Sequence, residues 1–360
     1  MKYIDEFRDR RLVEKLVSAI EQESTGEYRL MEVCGSHTHA IRRFGLQALL
    51  PGNIKLLSGP GCPVCVTGKD YINKAVILAK EKHVIIATYG DLLRVPGNEK
   101  SLLDCRKEGS DVRVVYSSLD ALGIAYDNPG KSVVFLAIGF ETTAPATASA
   151  AISAIEQGSD NFYILCGHKT MPAAMRAVID GGILLNGYIC PGHVSTITGS
   201  KIYESLAEEY NVATVVSGFE PTDILQSVLM LIRQVNAKNF KTEIQYKRSV
   251  TREGNLRAME IMSNVFEAKD DEWRGFGIIP SSGLKLKSEY AGIDAEIQFS
   301  VYTPEPEENC SCVCGEILKG RMEPEDCALF AQICTPDNPI GACMVSSEGS
   351  CNAHFKYREA

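Results

Sequence analysis

Short β-branched and aliphatic runs recur along the chain, and most of them stop at a glycine and give way to apolar positions spaced three and four apart. Runs at residues 30–33, 54–57, 84–88, 133–138, 162–165, 188–189 and 213–216 predict strands. Residues 71–80, 146–156, 172–180 and 202–210 have helical periodicity with proline or glycine near their ends, which predicts crossover helices. Strands that alternate with helices imply an α/β protein with parallel sheets. The amphipathic stretch 4–20 and everything beyond about residue 241 fall outside this alternation.

Three pairs of glycine-containing segments repeat in the same order. Gly35-Ser-His-Thr-His-Ala40 shares a frame with Gly139-Phe-Glu-Thr-Thr-Ala144, and Thr88-Tyr-Gly-Asp91 parallels Ser217-Gly-Phe-Glu220. Pro60-Gly-Cys-Pro-Val-Cys-Val-Thr-Gly68 agrees with Pro191-Gly-His-Val-Ser-Thr-Ile-Thr-Gly199 at Pro, Gly, Thr and Gly. An internal duplication accounts for them, with one lobe over residues 26–130 and a similar lobe over 131–240. Each motif follows an expected strand, on the sheet edge where α/β proteins bind ligands, so the lobes are expected to face a cleft. Residues 1–25 with 241–360 are expected to form a third, cysteine-rich domain.

Composition narrows the function. The chain is 45% hydrophobic, enough for ordinary cores, and its net charge of −9 gives no basic footprint for nucleic acid. Its first residues are too charged for a signal peptide, and no apolar run approaches the ~20 residues of a membrane helix. A soluble cytoplasmic protein is expected, with no membrane partner. In a reducing cytosol, thiols at fixed spacing are more often metal ligands or redox pairs than structural bridges. There are thirteen cysteines, and seven fall between Cys310 and Cys351.

Cys34 ends a strand and precedes a helix in Cys34-Gly-Ser-His37-Thr-His39, where backbone N–H groups and the helix dipole favour thiolate. It is a candidate metal ligand or nucleophile. His37 and His39 are two apart and would diverge on a helix, so at most one would meet the same ligand. Cys62-Pro-Val-Cys65 has the spacing of dithiol redox catalysts and of half a zinc site. No second C-x-x-C exists in the chain, which favours the dithiol. Glu141 occupies the place of His37 in the second repeat and is a candidate acid or base, and Cys190-Pro-Gly-His193 supplies a further cleft wall. Beyond residue 311, Cys312, Cys314, Cys327, Cys334, Cys343 and Cys351 fit neither zinc knuckles nor a ferredoxin run, and their spacing leaves zinc and an iron–sulfur cluster both open.

Together, Cys34-Gly-Ser-His-Thr-His, Gly59-Pro-Gly-Cys-Pro-Val-Cys, Gly139-Phe-Glu-Thr-Thr-Ala-Pro, Cys190-Pro-Gly-His-Val-Ser and Cys343-Met-Val-Ser-Ser-Glu-Gly resemble the HypD family of NiFe-hydrogenase maturation proteins, over nearly the whole chain. The resemblance implies a scaffold that works with the chaperone HypC, while HypE delivers cyanide. On it one iron acquires two cyanides and one carbon monoxide before reaching the hydrogenase large subunit. Cys34 would be the iron ligand, His37 a nearby ligand or proton donor, and Cys62 with Cys65 the cleft dithiol. The family is also similar to ferredoxin:thioredoxin reductase around its 4Fe-4S cluster, which implies Cys312, Cys327, Cys334 and Cys351 as cluster ligands and Cys314 with Cys343 as an adjacent dithiol. A stand-alone iron–sulfur thiol–disulfide oxidoreductase and a zinc-stabilised binding module are the alternatives.

Overall fold

The structure, a computed structural model, describes residues 5–303 and 311–358, so Cys310 lies outside the described residues. All seven expected strands are present, with two further short ones. They are β1 (Tyr28–Glu32), β2 (Ile54–Ser58), β3 (Val84–Thr88), β4 (Asp111–Val114), β5 (Ser132–Gly139), β6 (Phe162–His168), β7 (Gly187–Pro191), β8 (Ala213–Ser217) and β9 (Thr242–Ile244). They make two wholly parallel sheets, in the orders β2-β1-β7-β8-β9 and β4-β3-β5-β6. The strands β3, β7 and β8 are buried at every position, as parallel strands covered on both faces must be. Among the described residues, no helix is long and apolar enough to cross a membrane.

The two sheets do not divide at residue 130. Strands β1 and β2 leave the expected first lobe to pair with β7, β8 and β9, while β3 and β4 pair with β5 and β6. The expected boundaries 26–130 and 131–240 therefore do not bound sheets. Adding four to each strand number, cyclically over eight, converts the order 2-1-7-8 into 6-5-3-4, the order of the second sheet. This is the order that a duplicated four-strand unit would leave if its copies exchanged halves. Of the three repeated motifs, only the pair after β1 and β5 follows strands equivalent under that shift.

The expected third domain is not a separate body either. Helix Arg10–Glu23 packs on helix Pro221–Ala237 beside the first sheet and buries Ile20 there, because its apolar stripe needs a partner face. Strand β9 joins that same sheet. The antiparallel hairpin of β10 (Phe266–Trp273) and β11 (Gly277–Leu286) packs against β6 and helix Met171–Asp180. In the cysteine-rich end, helix Ser350–Tyr357 lies on helix Gly35–Arg43, and helix Ala342–Val345 lies on helix Pro63–Val66.

Residues 345–348 cross between the carboxyl ends of the two sheets. On one side Ser346 Oγ donates to Asp91 Oδ2 at 2.8 Å and Arg94 Nη2 donates to the Val345 carbonyl at 3.2 Å, both beyond β3. On the other side Ser36 Oγ, beyond β1, donates to Glu348 Oε1 at 2.7 Å.

The hairpin docks on the cysteine-rich end through Gly275, whose φ is +84° and whose missing Cβ would collide with the backbone of Gly315. Gly277 has φ +76° but open space around it. Alanine at either position carries left-handed strain of about 1 kcal/mol or more, and only at Gly275 does overpacking add about 1–3 kcal/mol. Denaturant unfolding should show a larger loss for Gly275→Ala than for Gly277→Ala. Equal losses would contradict the docking.

Candidate metal and thiol centre

Cys34 is the N-cap of helix Gly35–Arg43, and its buried side chain stands where three chain segments converge. Its backbone N–H donates to Glu32 Oε2 at 3.0 Å, and Thr38 Oγ1 donates to Glu32 Oε1 at 2.5 Å. A Cβ on Gly61 would collide with the backbone nitrogen of Cys34, so only glycine lets the loop after β2 lie this close. Glu348 arrives from the third segment and meets Gly35 and Ser36.

The helix start does not outweigh burial at Cys34. Burial first, then the Glu348 carboxylate, push the thiol up to about 12, and the N–H groups of Ser36 and His37 only partly offset them. Glu32 is raised to about 7 by burial. The thiol proton must therefore leave when a metal binds.

His37 is fully buried. Its Nε2 lies 2.9 Å from the Gly218 carbonyl, which can only accept, so Nε2 carries the proton. The buried Nδ1 is then a bare acceptor without a partner, and burial holds the ring neutral, with its pKa down at about 4. That state suits a ligand and not a proton donor. Phe219 lies between the rings of His37 and His193, with centroids 4.7 Å and 4.0 Å away. His39 turns away to Tyr357, whose hydroxyl lies 3.0 Å from its Nε2. Glu141 is buried beyond β5, where its Oε1 accepts from the Met171 N–H at 3.0 Å and its Oε2 has no partner. Burial raises this carboxyl to about 7.

Cys62 and Cys65 are joined as a disulfide, the oxidised form of the expected pair, and Cys62 caps helix Pro63–Val66. Cys65 Sγ lies 3.9 Å from the carbonyl of Ala342, the residue before Cys343. The Sγ atoms of Cys312 and Cys314 are 3.1 Å apart. Hydrogen bonds with Cys314 and Cys351 push Cys343 up, whereas hydrogen bonds from Cys314 and Cys343 hold Cys351 below the usual thiol range. Cys334 is raised mainly by burial, with lesser contributions from Cys314 and Cys312, and its sulfur accepts from the Ile340 N–H. Cys312, Cys314, Cys334, Cys343 and Cys351 thus converge. Cys327 packs at the margin of the same apolar cluster, half-buried.

Residues 11–358 match the family model described as HypD, hydrogenase formation hypA family. The chain belongs to the HypD family. It is 48% identical to hydrogenase maturation factor HypD2 of Bradyrhizobium diazoefficiens over 99% of this chain and 97% of that protein. Hydrogenase maturation factor HypD of Cupriavidus necator is 45% identical over the same shares. A putative hydrogenase expression/formation protein of Methanocaldococcus jannaschii is 44% identical over 97% of this chain and 98% of that protein.

The HypD-type motifs identify the cysteines but not their surroundings. Glu32 has no motif that marks a site. Phe219 and Glu348 each had a signal, the first its place in the repeated Ser217-Gly-Phe-Glu220 and the second its place in Cys343-Met-Val-Ser-Ser-Glu-Gly. Cys105, Cys166 and Cys190 are buried in the cores, and His354 is buried among Glu323 and Glu325, where Arg42 and Lys55 also contact Glu323.

The buried Glu141 of this HypD-family chain sets a pH test. Its folded pKa is about 7 against an ordinary 4.5, so its contribution to stability is present below pH 4.5 and lost as pH rises through 7. The loss amounts to at most about 3 kcal/mol at pH 8. Glu141→Gln keeps the acceptor for Met171 and removes the charge. In urea unfolding, its stability relative to the parent should rise from pH 5 to pH 8. A pH-independent difference would show that burial does not govern this carboxyl.

Proposed function

We propose that the chain is a hydrogenase maturation factor that holds one iron at Cys34 while the metal acquires two cyanides and one carbon monoxide. Membership of the HypD family supports the pathway. The observation that carries the site is Cys34 itself, a buried thiol at a helix N-cap whose backbone Gly61 packs against, followed three residues later by His37 with its buried, partnerless Nδ1. Iron is the cargo here. Soft thiolate with strong-field carbon ligands suits low-spin ferrous iron. On this reading Cys34 gives up its proton to bind the iron, His37 Nδ1 offers a second lone pair, and Phe219 fixes the imidazole plane. His193 and Glu141 would line the approach. HypC would dock as chaperone, HypE would deliver cyanide, and the hydrogenase large subunit would receive the product.

The C-terminal thiols fit a resident 4Fe-4S cluster in donor type and number. A cluster binds through four separate iron corners, so its thiols need to surround a volume and not to share one tight shell. Cys312, Cys327, Cys334 and Cys351 would hold it, and Cys314 with Cys343 would form the adjacent dithiol. Such a cluster would supply electrons one at a time. Reduction of the Cys62–Cys65 disulfide consumes two electrons and two protons and yields two thiols. A low-potential one-electron carrier would supply the electrons, and the closeness of Cys65 to Ala342 supports a route between the two thiol groups.

A stand-alone iron–sulfur oxidoreductase would show the same visible absorption but no bound diatomics, and a zinc-stabilised binding module would be colourless. Infrared spectroscopy on protein co-purified with its small partner should show cyanide and carbon monoxide bands. Cys34→Ala should lose them and keep a ~400 nm shoulder, because the iron–sulfur chromophore does not use this thiol. Full bands in Cys34→Ala would remove Cys34 as the ligand.

The division of the C-terminal thiols has its own test. Iron and sulfide analysis of anaerobically purified variants should show loss of the cluster in Cys327→Ser and retention in Cys314→Ser. The reverse pattern would exchange the two roles.

A further inference from the structure

The C-terminal thiols face a cation that none of the chemistry above uses. Arg274 lies in the turn between β10 and β11. Its backbone N–H donates to the Val66 carbonyl and its Nε to the Thr67 carbonyl, each at 2.9 Å, so the side chain is tethered to the two residues that follow Cys65. The next residue, Gly275, abuts the backbone of Gly315, immediately after Cys314. The turn thus stands between the Cys62–Cys65 helix and the C-terminal thiols.

The residue as a whole is only half-buried, yet its Nη2 is sealed from solvent and has no hydrogen-bond partner. A guanidinium does not give up its proton in proteins, and taking such an ion out of water costs several kcal/mol unless nearby charge offsets it. The groups that stabilise the charged form of Arg274 are, in order, Cys314, Cys343 and Cys312, with Glu272 after them. An unpartnered cationic N–H group is therefore held beside three cysteines by an anchor on the other thiol pair.

We propose that Arg274 is the fixed counter-charge of the C-terminal thiol centre and raises its reduction potential. This rests on the iron–sulfur reading of those thiols. One-electron reduction adds a negative charge to the centre and breaks no bond. A positive charge that cannot move away stabilises the reduced form more than the oxidised one. Arg274 touches neither cargo nor substrate in this role; it is a positioning residue acting through charge.

The test compares the parent with Arg274→Gln and Arg274→Lys, purified anaerobically as full chains. Iron and sulfide are measured, and absorbance near 400 nm is followed during a dithionite titration against redox dyes. Arg274→Gln should keep its iron and sulfide while its equilibrium moves at least tenfold toward the oxidised form, which is 59 mV for a one-electron couple. Arg274→Lys should move by less than half that amount. An unchanged midpoint in a fully loaded Arg274→Gln overturns the proposal, as does a lysine variant shifted as far as the glutamine one. If Arg274→Gln does not fold, Arg274→Lys decides: an equilibrium within threefold of the parent supports the counter-charge, and a larger shift removes it. A colourless parent would instead sink the iron–sulfur reading itself.

Discussion

The crossing of residues 345–348 between the two sheets is the contact on which the rest of the candidate site depends. Asp91 and Ser36 stand beyond strands of different sheets, and Ser346 and Glu348 tie them together within three residues. The same segment continues from helix Ala342–Val345, which carries Cys343 onto the Cys62–Cys65 helix. Strand ends of open parallel sheets are free of packing demands, and here that freedom is filled by the chain's own terminus. The position of Cys34, the disulfide and the C-terminal thiols relative to one another follows from this strap.

The strands were readable because a parallel strand buried on both faces is a continuous apolar run. Strand β4, Asp-Val-Arg-Val, and the three-residue β9 lie at sheet edges and lack such runs. Sheet membership was not readable at all. β1 pairs with β7, more than a hundred residues away, and nothing in a run of apolar residues names its neighbour. The repeated glycine motifs pointed to duplication but suggested contiguous lobes, whereas the strand order runs through both halves of the chain. The proposed third domain failed for a related reason, since an amphipathic helix announces that it needs an apolar face without saying whose.

At the site, spacing and glycine context made Cys34, Cys62 and Cys65 legible. Their electrostatics were not, because burial and not the helix start decides the state of Cys34. Glu348 reaches Ser36 across 312 residues, and the carbonyl that fixes the His37 tautomer is 181 residues away. Arg274 carries no motif. Its meaning lies in an orphaned nitrogen and in what surrounds it, both of which exist only in three dimensions.

The interleaved strand order also bears on how the protein is made. A ribosome releases β1 and β2 long before β7, so the first sheet cannot close on the nascent chain until β7, β8 and β9 have emerged. Contacts of such long sequence separation form late and slowly, since loop closure must precede them. Glu348, which meets Gly35 and Ser36, follows every strand of both parallel sheets along the chain. Enclosure of Cys34 by this segment is therefore a late event, after the strands of both sheets have emerged.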